Sequence, residues 1–113
     1  MTSPTPRGTR IAHLGIAVES LEAILPFYRD ILGMPETPLD DDGARIKAVA
    51  AGESLVELLE PEKSDSPIGK FLAKRGPGIH HICFAVDDLD AMLARCKAHG
   101  IQLIDETPRI GAE

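Results

Sequence analysis

No stretch of this chain is apolar for long enough to span a bilayer, and residues 1–10 mix Thr, Ser, Pro, Gly and Arg without a hydrophobic segment. A membrane-spanning protein and a secretory signal are thereby set aside. Residues 1–10 read as a flexible lead-in, and the expected location is the cytoplasm. Cysteine is scarce. Cys83 and Cys96 are the only two, their separation matches no metal-ligand spacing, and both are expected as reduced, buried thiols. Basic residues are also in deficit, with 12 Lys and Arg against 18 Asp and Glu, a net charge of −6. That balance argues against nonspecific nucleic-acid binding and leaves small ligands open, because they respond to local charge. What remains is 113 residues with an ordinary 43% apolar content, enough for one domain or for two half-domains sharing a core.

The chain contains a repeat. Displaced by 68 residues, Ile11, His13, Ala17, Val18, Leu21, Ala23 and Leu25 fall on Ile79, His81, Ala85, Val86, Leu89, Ala91 and Leu93. Glu19 and Glu22 fall on Asp87 and Asp90. Each copy alternates like a strand and then turns to helical spacing. Alternation puts His13, Gly15 and Ala17 on one face of the first strand, with His81, Cys83 and Ala85 on the matching face of the second. The opposite, greasier faces are expected to take the helices. A histidine followed by small residues reads as a cavity wall that leaves room for a ligand. A single strand histidine is more often structural. Two on equivalent strands related by a pseudo-twofold axis would reach one central site, and imidazole is the commonest transition-metal ligand. His80, the counterpart of Ala12, is expected to face the other way and to be structural; His99, beside Gly100, reads as a surface residue at a helix end.

Along the chain, Ser20 is the expected cap of a helix from Leu21 to Leu32, ended by Gly33, with Leu21, Ile24, Leu25, Tyr28 and Leu32 as its buried stripe. Pro26 should bend it. An irregular connection follows, in which Asp40, Asp41 and Asp42 read as a solvated turn because no following Gly and Glu stand at the spacing of a calcium loop. Residues 45–51 and 54–60 form a hairpin about Gly52-Glu53. Glu57 lies between Leu55 and Leu59 on one face, which suits either an edge residue reaching water or a buried group with a partner, the edge being favoured. Ser66-Pro67 opens a short helix that turns Ile68, Phe71 and Leu72 inward. Lys70, Lys74 and Arg75 are expected in solvent. Asp88 caps a helix through His99, and a further strand is expected over Ile101 to Ile104. The second unit then stops short of a hairpin of its own.

Several stretches carry a family resemblance: Ile11-Ala12-His13-Leu14-Gly15-Ile16-Ala17-Val18, residues 27–33, Val56-Glu57-Leu58-Leu59-Glu60-Pro61, Asp65-Ser66-Pro67-Ile68, Gly78-Ile79-His80-His81-Ile82, and residues 105–111. With them the chain resembles the vicinal oxygen chelate (glyoxalase-like) superfamily, and within it the methylmalonyl-CoA epimerases. The resemblance implies an α+β fold of paired βαβββ modules, with module 11–61, a connector helix in 62–77 and an incomplete second module 78–113. It implies a divalent metal held by His13, Glu57 and His81, cobalt first, with manganese, zinc or nickel as alternatives. It also implies an acyl-CoA substrate, a homodimer, and epimerisation at C2 through a metal-stabilised enolate. The family's fourth ligand, a Glu of the last strand, has no counterpart in these residues, and no acid stands in residues 45–51 where the family's other base is expected. Weakened metal binding and epimerisation that is poor or absent are therefore expected of these 113 residues. The alternatives are another metalloenzyme of the superfamily, glyoxalase- or dioxygenase-like, or a noncatalytic metal- or ligand-binding form.

Overall fold

Alternation from Ile11 becomes β1 (Arg10–Ala17) in a computed structural model that describes residues 8–37 and 45–108. Arg10 thus belongs to the sheet, not to the lead-in. Ser20 caps α1 (Leu21–Pro26), its hydroxyl accepting from the Ala23 N–H at 3.1 Å. Pro26 has no N–H to continue the ladder, and the next turn, Phe27–Ile31, opens into a π-helix in which the Leu32 N–H donates to the Phe27 carbonyl. One bent helix to Leu32 is therefore corrected to an α-turn and a π-turn. The wider turn also carries Leu32 out of the buried stripe, to 53% exposure.

A two-residue strand that the sequence did not announce, β2 (Glu36–Thr37), pairs with β3 (Ile46–Ala51). β3 turns at Gly52, whose φ of +64° favours glycine, into β4 (Ser54–Leu59). Next come α2 (Pro67–Arg75), capped by Ser66, then β5 (Gly78–Ala85), and α3 (Leu89–Ala98), capped by Asp88. The strands form one sheet in the order β2-β3-β4-β1-β5. β1 runs parallel to β4 and antiparallel to β5.

Val18, Val49, Val56 and Leu58 make the core, against which Ile16, Leu21, Ile24, Leu25, Tyr28 and Met34 pack. The greasy face of the first copy thus takes its helix as expected. The second copy differs: Ile82 and Phe84 of β5 stay 48% and 58% exposed, and α3 has no buried residue. α1 lies over the adjoining strands β1, β3 and β4, whereas β5 is the last strand of the sheet and offers α3 a narrow surface. The strand expected over Ile101 to Ile104 does not form, since that segment has no sheet neighbour among the described residues and Ile104 is 98% exposed. Residues 1–7, the aspartate turn at 40–42 and residues 109–113 lie outside the described residues.

Candidate metal centre

Gly15 is the floor of the site. Across β1 it is opposite Glu57 of β4 on one side and His81 of β5 on the other. His13 stands two residues along β1 on the same face, so His13 and His81 form a diagonal cross-strand pair. Their Nε2 atoms are 3.1 Å apart, and the rings meet edge to face at 5.1 Å between centroids. Glu57 Oε2 lies 3.5 Å from His13 Nδ1. The structure therefore brings His13, Glu57 and His81 together, each offering a donor atom within 4.8 Å of the others. β4 lies between β3 and β1, which rules out the edge reading of Glu57: the residue is 4% exposed, and His13 is 8% exposed.

The expectation of open space over Gly15 and Ala17 is only partly met. A Cβ on Gly15 would lie 2.2 Å from His81 Cε1, so the room that glycine leaves is filled by the His81 ring. Burial first, and then the imidazoles of His13 and His80, push the His81 imidazole below its ordinary value. The neutral ring favoured in this way is the form that carries a ligating lone pair. Two imidazoles and a carboxylate are a donor set that zinc, cobalt and similar divalent ions accept. The residues present fit a divalent ion.

His80 departs from its expected placement. The pairing skips Ala12 on β1 and His80 on β5, two bulges at positions related by the same 68-residue offset that relates His13 to His81. A bulge sets two residues against one and re-aims a side chain. As a result His80 does not face away: its Nδ1 lies 2.9 Å from His81 Nδ1. Neither bulge has a signal in the alternation. The repeat itself was the only hint that Ala12 and His80 would behave alike. His99 caps the C-terminus of α3 in solvent, as expected, and Lys70, Lys74 and Arg75 are exposed on α2. Cys83 and Cys96 are half-buried rather than buried, and neither is in a disulfide.

At the far end of β4, Glu60 Oε1 accepts from the Leu21 N–H at 2.7 Å and its other oxygen pairs with Arg45. The backbone bond first, and Arg45 after it, hold this carboxyl below its ordinary value. Arg45, Ile46, Leu59 and Glu60 line a cavity of about 400 Å³ with Ser66 and Ile68 at the start of α2. Leu59 shares the strand face of Glu57 by alternation along β4. No helix among the described residues is long and apolar enough to cross a membrane.

The family described as the Glyoxalase/Bleomycin resistance protein/Dioxygenase superfamily matches residues 12–113. Methylmalonyl-CoA epimerase, mitochondrial, from Mus musculus is 37% identical over 98% of this chain, which spans 65% of that relative's length, just under two thirds. An ethylmalonyl-CoA/methylmalonyl-CoA epimerase from Cereibacter sphaeroides is 39% identical, over 91% of this chain and 81% of its own. Among solved structures, a Streptomyces coelicolor methylmalonyl-CoA epimerase variant in complex with 2-nitronate-propionyl-CoA superposes with a TM-score of 0.78 at 35% identity. The overlap covers 92% of this chain and 78% of that one.

Proposed function

The chain belongs to the glyoxalase/bleomycin resistance protein/dioxygenase superfamily, and from that premise we propose that it interconverts the C2 epimers of methylmalonyl-CoA at a divalent ion held by His13, Glu57 and His81. The observation that carries this reading is the convergence of those three donors on one sheet face, within 4.8 Å of one another. The C2 hydrogen of such a substrate lies between a thioester and a carboxylate, so its departure to solvent as a proton places charge on oxygen, and return of a proton to either face of C2 gives either epimer. A bound divalent ion supplies the positive charge that stabilises that oxygen. His13 and His81 serve as neutral nitrogen donors. Glu57 offsets part of the ion's charge and would leave the centre cationic enough to attract the carboxylate of the acyl group. Gly15 keeps the floor low enough for the His81 ring to lean toward His13. The cavity beside Leu59 gives the acyl-CoA an apolar approach.

Cobalt is the first candidate for the ion, with manganese, zinc and nickel as alternatives. A homodimer is also proposed. Ile79, Ile82 and Phe84 leave the terminal strand β5 with exposed apolar surface, and an open strand edge recruits a partner. Sedimentation velocity at high micromolar concentration is expected to show the dimer, and a stable monomer would contradict it.

The function is tested by incorporation of solvent deuterium at C2 of methylmalonyl-CoA. Exchange stimulated by cobalt or manganese and lost in His81→Ala is expected. No exchange with any of the four ions would contradict the epimerase reading, and turnover of a hemithioacetal instead would move the chain to a glyoxalase-like activity.

A further inference from the structure

His80 sits outside the donor set and yet touches it. We infer that His80 is a positioning residue: its Nδ1 accepts a hydrogen bond from His81 Nδ1–H and so fixes the tautomer and ring orientation in which His81 Nε2 faces the ion. This rests on the metal-site reading of His13, Glu57 and His81.

Proton counting at the two ring nitrogens carries the argument. His81 Nε2 is the atom turned toward His13, at 3.1 Å, and it is the atom available to a shared ion. A neutral imidazole that gives its Nε2 lone pair to a metal carries its proton on Nδ1. That proton points at a nitrogen 2.9 Å away, the Nδ1 of His80. Only one hydrogen fits between two nitrogens at that distance, so His80 accepts and keeps its own proton on Nε2. The bulge on β5 makes the contact possible, because in a regular strand consecutive side chains point to opposite faces. Phe71 of α2 backs the His80 ring edge to face, at 4.9 Å between centroids, and limits its swing. The other bulged position, Ala12, has no side chain that could do the same for His13.

Two substitutions separate an acceptor from a packing role. His80→Asn puts an amide oxygen near the position of Nδ1 and loses the ring; His80→Phe keeps a ring against Phe71 and loses the acceptor. His80 is exposed, so both variants should fold. Affinity for zinc and cobalt is measured by competition with a chromophoric chelator. The ring protons of the zinc-loaded protein are followed by nitrogen-proton NMR. The expected result is near wild-type affinity for His80→Asn and a loss of about 10–100-fold for His80→Phe, the range typical of an outer-shell partner. In the NMR spectrum, the His81 Nδ1–H should exchange slowly in the wild type and in His80→Asn, and fast in His80→Phe. Unchanged affinity in His80→Phe, or tighter binding by His80→Phe than by His80→Asn, would overturn the inference while leaving the metal site standing. A wild-type protein that takes up neither ion would overturn the metal site and this inference with it.

Discussion

Replacing Gly15 by alanine adds one methyl group at the most crowded point of the site. An added Cβ would stand 2.2, 2.5 and 2.7 Å from Cε1, Nδ1 and Nε2 of His81. Ordinary carbon contacts lie at roughly 3.5–4.0 Å, so the ring has to retreat by more than about 1 Å. Gly15 is not among the glycines with positive φ. The backbone therefore accepts alanine, and loss of unfolded-state freedom contributes about 0.4–1 kcal/mol in favour of the variant. An unrelieved clash would cost roughly 1–3 kcal/mol. The obstacle, however, is the end of a side chain with two rotatable bonds, and swinging it aside costs about 0.5–1.5 kcal/mol. The two effects nearly cancel, and folding stability without metal should change by less than about 1 kcal/mol. The site does not escape. With His81 displaced, one of three donors is lost, and metal affinity should fall by more than the ~10–100-fold that an outer-shell defect produces. Urea denaturation with chelator present and zinc titration of the same samples separate the two effects. In a His81→Ala background the obstacle is gone, so Gly15→Ala should there be neutral or stabilising, a nonadditivity that a double-mutant cycle reads directly. Wild-type metal affinity in Gly15→Ala, or an equal destabilisation in both backgrounds, would refute the reasoning.

Gly69→Ala meets a harder obstacle, since its Cβ would lie 2.5 Å from the backbone oxygens of Lys63 and Ser64; a loss of about 1–3 kcal/mol in urea denaturation is expected, and a neutral result would contradict the packing described. Glu60→Gln should cost about 1 kcal/mol near neutral pH by weakening the anchor at Leu21 and removing the Arg45 pair. Because the folded carboxyl titrates below its ordinary 4.5, this contribution is complete above that pH and is lost as pH falls through the folded value. The stability difference between wild type and Glu60→Gln should thus shrink on acidification, and a difference that stays constant would contradict it. Saturating zinc or cobalt should raise the melting temperature reversibly with chelator, the free energy of unfolding increasing by about 2.7 kcal/mol at a hundredfold excess over Kd. No shift would count against a folded-state metal site.

Much of the centre was legible because the repeat is. The 68-residue offset pairs His13 with His81 before any fold is known, and strand alternation places both on faces lined with small residues. Glu57 was not legible from its own surroundings. A carboxylate between two leucines fits an edge strand as well as an inner one, and only the pairing order, with β4 between β3 and β1, decides it. The bulges at Ala12 and His80 are features of two strands at once, so the period of one strand cannot announce them. Pro26 did signal a break, but whether a proline kinks a helix or opens a π-turn depends on what the following turn packs against, here through Tyr28. Ile101 to Ile104 had strand-like composition and found no neighbouring strand to pair with among the described residues. Propensity yields to tertiary context in such short segments.

The central claim is that His13, Glu57 and His81 form one divalent-ion site, and cobalt titration followed by visible absorption tests it most directly. The account predicts one ion per chain with the bands of a nitrogen- and oxygen-ligated cobalt centre, lost in each of His13→Ala, Glu57→Ala and His81→Ala and unchanged in His99→Ala. A wild-type chain that binds no cobalt, or three variants that each keep the wild-type spectrum and stoichiometry, would contradict it.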